Sequence, residues 1–232
     1  GFDFPELEID YEYVALSHPE EYPMNRGRIV SNKGLDIAVE DFYEHFQEEH
    51  IEHSNALHCR RLPHGSTYQV GPLARFNLAF DKLTPLARET ALRHGFEPPI
   101  TNPFKSIIAR ALEVLHACDE ALTLIEQYEE PPAPFLTAPN RKGVGHACTE
   151  APRGILYHRY EVGEDGLIEK ADIVPPTSQN QAQIEEDLRR LLPTLLSETQ
   201  EVMQHRCEQA IRNYDPCISC ATHFLKLEIE RV

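Results

Sequence analysis

With 232 residues, 41% of them hydrophobic, and no apolar run near the roughly 18 residues needed to cross a bilayer, the chain reads as one domain over 1–232 with a substantial core and no membrane span. Its 22 basic against 38 acidic residues give a formal net charge of −16, which repels phosphate backbones and anionic lipid surfaces and excludes nucleic acid and membrane as partners. The opening Gly-Phe-Asp-Phe-Pro has neither the basic nor the apolar region of a signal peptide, so a cytoplasmic location is expected.

In chain order, 8–17 and 27–37 mix β-branched and aromatic residues with turn signals at Asn32 and Gly34, and read as short strands. Val39, Phe42, Tyr43 and Phe46 follow at helical spacing, with Glu40, Asp41, Glu44 and Glu48 on the opposite face, which predicts an amphipathic helix. The stretch 45–64 holds His45, His50, His53, His58 and His64 among Glu48, Glu49 and Glu52. If the helix continues, Glu49 and His53 share a face; solvated side chains are the plain reading and divalent-cation binding the sharper one.

Asn102 as N-cap and Pro103 at the first helical position open a long central helix to about residue 128, with Ile107, Ile108, Ala111, Leu112, Leu115, Cys118, Leu122 and Ile125 in period. Pro131, Pro132, Pro134 and Pro139 then forbid regular structure as far as Gly145. Residues 155–162 and 167–174 flank Gly-Glu-Asp-Gly as a β-hairpin that Pro175 and Pro176 end, and 181–192 and 197–213 read as two more helices. The inventory is α+β, predominantly α, with long central helices and a small β-hairpin or sheet.

Of six cysteines, Cys59, Cys118, Cys148 and Cys207 are scattered and read as reduced, buried thiols. Cys217 and Cys220 differ. They stand at chelating spacing in Asp215-Pro216-Cys217-Ile218-Ser219-Cys220-Ala221-Thr222-His223, where two thiolates on one turn converge on a single metal edge and His223 adds a nitrogen donor. By themselves these residues specify a transition-metal site, and a redox pair or half of a zinc site stay open. Asp215 also suits a turn cap and Thr177 a helix cap, while Arg153 alone suits a loop-pinning salt bridge.

Several separated segments together resemble the large subunit of nickel-iron hydrogenases: the nonapeptide 215–223, Glu150-Ala151-Pro152-Arg153-Gly154-Ile155-Leu156-Tyr157-His158 after Gly143 and Gly145, and Val174-Pro175-Pro176-Thr177-Ser178-Gln179-Asn180. Tyr68-Gln69-Val70-Gly71-Pro72-Leu73-Ala74-Arg75-Phe76-Asn77, with 31–36, resembles the cytoplasmic branch that passes electrons to soluble carriers. The resemblance implies a Ni-Fe centre whose iron carries cyanide and carbon monoxide, with Cys217 a terminal nickel ligand and Cys220 a bridge to iron. It implies that Arg153 projects over the open metal position, oriented by Asp215, and that Thr177 and the Arg153 N–H donate to cyanide while Pro152 closes the cavity. His158 is expected in the outer shell. His223 is expected to bind magnesium or a similar divalent cation. The implied partners are an iron–sulfur small subunit, a nicotinamide- or deazaflavin-linked electron-transfer module and a maturation endopeptidase.

Two departures shape the expectation. The family's other cysteine pair, in Arg-x-Cys-Gly-x-Cys, has no counterpart in this sequence, so the chain carries half of a four-thiolate cage and is expected to be inactive alone, as the C-terminal part of a large subunit. Residues 224–232 resemble the extension removed after the equivalent of His223 on maturation, and the alternation of Leu225, Leu227 and Ile229 is strand-like. An uncut tail marks a precursor; a lineage never processed is the other possibility. The rival reading is a non-catalytic metal-binding or assembly module that keeps the fold without the chemistry.

Overall fold

The computed structural model describes residues 4–137, 139, 141–217 and 228. Strand β1 (Val14–Ser17) pairs antiparallel with β2 (Arg28–Ser31), which pairs with the short β3 (Asp36–Ile37). Because side chains alternate across a strand, the chain through β1 serves two cores at once. Tyr13 and Ala15 face a helical core with Leu73, Phe76, Phe96 and Leu112, whereas Val14 and Leu16 face a β core with Ile29, Phe42, Tyr68, Ile155 and Tyr157. Both faces being buried explains why residues 14–16 are apolar without interruption.

The helix expected around residues 39–48 is a correction. A 3-10 turn at Val39–Asp41 leads into a single turn, α1 (Phe42–His45), and the chain then extends as β4 (Phe46–Glu49), paired antiparallel with β5 (His58–Arg61). Tertiary stacking overrides the helical period: the Phe42 ring lies on Tyr157 at 4.2 Å and on Phe46 at 4.6 Å. Phe46 also meets the Tyr68 ring at 5.1 Å, and aromatic packing of this kind favours an extended backbone.

Helices α2 (Pro72–Ala79) and α3 (Pro85–Arg93) each begin on proline, whose missing N–H is an orphan at that position anyway. Helix α4 (Ser106–Glu126) follows a 3-10 turn, and Asn102 accepts the Phe104 N–H as expected for the cap. A three-stranded antiparallel sheet comes next: β6 (Gly143–Ala151), β7 (Gly154–Val162) and β8 (Ile168–Val174). The β7–β8 hairpin matches the sequence reading; β6 extends it into a stretch read as irregular. Helix α5 (Pro176–Leu191) starts earlier than residue 181, with Pro176 in its first turn. Helix α6 (Gln200–Arg212) is capped by Thr199, whose hydroxyl accepts the Val202 N–H. Cys59, Cys148 and Cys207 are buried as expected, whereas Cys118 is exposed on α4. Among the described residues no helix is long and apolar enough to cross a membrane.

Candidate functional site

Three segments meet where α5 begins and α6 ends. The stretch before α2 runs beside β1, with Val14 N donating to Gln69 O at 2.9 Å and Gln69 N to Glu12 O at 2.9 Å. Residues 152–154 lie against it through two glycines in the left-handed region. A Cβ on Gly71 (φ +112°) would stand 2.8 Å from the Arg153 carbonyl oxygen, and one on Gly154 (φ +132°) 2.4 Å from Val70 Cγ2. Only two side-chain-free residues allow this approach, and the approach fixes where Arg153 leaves the backbone.

Arg75 of α2 holds the same loop from behind. Its guanidinium donates to the carbonyls of Ala151 at 3.0 Å and Pro152 at 3.1 Å, and ion-pairs with Glu113 at 2.6 Å and Glu150 at 2.8 Å. Tyr22 donates to Glu113 and the Leu16 N–H to Glu150, so the buried charges are bonded on every side. Burial opposes the Arg75 charge, yet the two carboxylates outweigh it and hold its pKa above the usual arginine value. Truncating Arg75 leaves both carboxylates without a counter-charge, a loss of about 3–5 kcal/mol.

The first turns of α5 complete the frame. Asn180 accepts the Val70 N–H at 2.9 Å and donates to Val70 O at 3.2 Å, and Gln179 donates to Ile155 O at 2.6 Å. Further along α5, Asp187 accepts the hydroxyls of Tyr11 and Tyr214, each at 2.6 Å, and the Gln183 amide at 2.8 Å. Burial pushes the Asp187 carboxyl above its ordinary pKa. This bond anchors Tyr214 and with it the chain that leaves α6.

Inside the frame is a narrow cleft lined by Arg153, Thr177, Asn180, Ile184, Tyr214 and Pro216. Asp215 stands at its mouth with φ +48°, in the left-handed region that Asp tolerates better than most residues. Its carboxylate lies 3.3 Å from Arg153 Nε and 3.7 Å from Arg110, and its backbone carbonyl accepts from Arg153. Arg153 and Thr177, far apart in sequence, therefore share one cleft, and the Arg153–Asp215 pairing appears as expected. Pro152 enters through its carbonyl, held by Arg75. Cys217, next after Pro216, is half-buried. His158 bonds Tyr160 at 2.8 Å. Cys220, His223 and the 224–232 tail apart from Glu228 lie outside the described residues.

Sequence reasoning quoted Arg75, Glu150, Gln179 and Asn180 within its motifs but assigned them no part in the site, and it passed over Asp187. The available signal was a polar stripe on α5, where Gln179, Asn180, Gln183 and Asp187 fall at helical spacing and are all buried. A helix that turns amides and a carboxylate inward is bonding other backbone, not filling an apolar core.

A profile of the family described as nickel-dependent hydrogenase matches residues 61–223. Sulfhydrogenase 1 subunit alpha of Pyrococcus furiosus is 32% identical over 227 residues, covering 97% of this chain and 52% of that protein. NAD-reducing hydrogenase HoxS subunit beta of Cupriavidus necator is 35% identical over 221 residues, covering 88% of this chain and 45% of that protein. The structure of an NAD+-reducing [NiFe]-hydrogenase in the H2-reduced state shares the fold, with a TM-score of 0.77 at 24% identity over 93% of this chain and 51% of that one. The chain thus spans about half the length of these relatives. With the matched region running from β5 through the cleft to the cysteine motif, the chain belongs to the nickel-dependent hydrogenase family.

Proposed function

We propose that this chain is the C-terminal part of the large subunit of a nickel-iron hydrogenase of the soluble-carrier-linked branch, whose complete enzyme reversibly oxidises dihydrogen to protons and electrons. The observation that carries the reading is the cleft in which Arg153, held against Asp215, and Thr177 flank the segment leading into Cys217. In this reading Cys217 and Cys220 would hold a nickel-iron centre whose iron would carry cyanide and carbon monoxide. The Arg153 guanidinium would supply an always-charged donor beside it, able to polarise or hold a small ligand. Thr177 and the Arg153 N–H would donate to cyanide, Pro152 would narrow the cavity, and His223 would bind magnesium or a similar divalent cation.

The donor chemistry fits one wall of such a centre and not the whole of it. Among the described residues Cys217 is the thiol beside the cleft. Burial pushes the Cys59 thiol up to about 12 and also raises those of Cys148 and Cys207, which keeps them protonated and poor metal ligands. The described residues therefore do not complete a four-thiolate set, and no catalytic step is assigned to this chain alone. The proposed partners are an iron–sulfur small subunit, a nicotinamide- or deazaflavin-linked electron module, in keeping with the NAD-reducing relative, and an endopeptidase that removes 224–232. The compartment proposed is the cytoplasm.

The incomplete donor set also favours a second reading, a non-catalytic metal-binding or assembly module. Infrared spectra of the complete, processed protein from its native host separate the two: cyanide and carbon monoxide stretching bands are expected, and their absence leaves the second reading. In the 232-residue chain itself, metal analysis is expected to find nickel and iron below one equivalent each; a full equivalent of nickel overturns the half-cage interpretation.

A further inference from the structure

The β4–β5 hairpin carries histidines that the cysteine site does not use. Two of them, His53 in the connecting loop and His58 opening β5, converge on Glu185 of α5, and one donor atom from each of the three residues lies within 4.8 Å of the other two. His53 Nε2 is 2.9 Å from Glu185 Oε1, and His58 Nε2 is 3.5 Å from the same oxygen. Arg189 approaches the other carboxylate oxygen at 3.4 Å, which leaves Oε1 turned toward the imidazoles.

His58 is the unusual member. It is 1% exposed, and neither ring nitrogen makes a hydrogen bond. Buried polar atoms are paired in the great majority of cases, so an imidazole sealed from water with both nitrogens idle points to a missing partner.

We propose that His53, His58 and Glu185 form a divalent transition-metal site of the zinc type, with a fourth position open to water, that ties the β4–β5 hairpin to α5. Two imidazole nitrogens and one carboxylate oxygen suit zinc and its neighbours, whereas magnesium and calcium require oxygen-rich shells. Donors around a tetrahedral ion at about 2.0–2.1 Å stand about 3.3–3.5 Å apart. His58 Nε2 and Glu185 Oε1 already stand at 3.5 Å, and His53, whose side chain is 66% accessible, is the ligand with room to adjust. Glu185 and Thr177 lie on the same helix, eight positions apart (185 − 177), so an ion here fixes the element that carries one side of the cleft. The site shares no residue with the proposed nickel wall and does not depend on it.

The test is calorimetric titration with Zn2+ of the full chain carrying Cys217→Ser, Cys220→Ser and Cys118→Ser, which removes the paired thiols of the cysteine motif and the exposed thiol of α4. One equivalent is expected to bind and to raise the melting temperature, and Mg2+ is expected to do neither. Adding His53→Ala and Glu185→Gln, both at the accessible edge of the site, is expected to weaken Zn2+ binding by more than the roughly 10–100-fold that outer-shell changes cost, with the circular dichroism spectrum unchanged. Co2+ in place of Zn2+ is expected to show ligand-field bands without thiolate charge transfer. Absence of Zn2+ binding in the Cys217→Ser, Cys220→Ser, Cys118→Ser protein overturns the proposal, as does undiminished binding after the His53 and Glu185 changes.

Discussion

At the residue scale, many buried polar side chains bond backbone, as donors or as acceptors, and one of them makes stability depend on pH. His116 of α4 is buried beside Tyr22 and accepts the N–H of Thr84, the residue that opens α3, at 3.2 Å through Nδ1. Only an unprotonated nitrogen accepts a hydrogen bond. Burial pushes the His116 pKa down, with Glu120, Glu113 and Asp119 opposing the shift more weakly. The unfolded chain takes up a proton near the ordinary histidine value of about 6.5, while folded His116 refuses it until lower pH. Between those two values the unfolded state binds more protons, so this contribution to stability is full above about pH 6.5 and is lost as pH falls through the window. His116→Gln keeps a possible acceptor and removes the titration. Urea midpoints at about pH 7.5 and about pH 5.5 are expected to differ less in the variant than in the parent; an identical difference in both proteins rules out His116 as a source of the pH dependence.

At the element scale, the first turns of α5 are the joint between the two halves of the site, and Asn180 is its pin. Replacing Asn180 by Ala strips partners from a buried N–H and a buried carbonyl of Val70, each worth about 1–3 kcal/mol when left unsatisfied, so a loss of about 2–6 kcal/mol is expected in denaturant unfolding. Asn180→Asp keeps the acceptor but sets a buried carboxylate oxygen against the Val70 carbonyl, so it should cost at least as much as Ala; an unchanged stability for Ala removes the two-bond account. This joint also shows where sequence was legible. The long helix, its Asn102 cap and the β7–β8 hairpin are legible in local pattern, because caps, turn residues and periodicity are local; the segments around Arg153 and Thr177 are legible only through resemblance. The 46–61 hairpin is not legible, since Phe46 packs on Tyr68, which lies beyond the reach of any local period. Likewise β6 follows a proline-rich stretch and is rich in glycine, and only its pairing along the full length of β7 makes it a strand. The pairing of Arg153 with Asp215 was anticipated through resemblance; the Arg75 and Asp187 networks that bring both into place join residues too far apart for any periodicity to reveal.

At the scale of the whole molecule, α4 is the element least accounted for by its own chain. Its first half packs on α2 and α3, burying Ala109, Leu112, Glu113 and His116, but Leu122, Leu124, Ile125 and Tyr128 near its end are exposed. A helix of 21 residues is about 31 Å long, and its second half carries an apolar face without an apolar partner among the described residues. Burying one such side chain contributes about 1.5–3 kcal/mol, so several together supply enough to drive association. In the proposed reading the complementary part of the large subunit covers this face; without it, the 232-residue chain is expected to self-associate as concentration rises. The triple change Leu122→Gln, Ile125→Gln and Tyr128→Gln should shift sedimentation velocity profiles toward monomer. It should leave the melting temperature of dilute protein within a few degrees, because those side chains contribute little to packing within the monomer. A large drop in melting temperature at low concentration contradicts that picture, since it means the face is already packed within the monomer and the association must be carried by another surface.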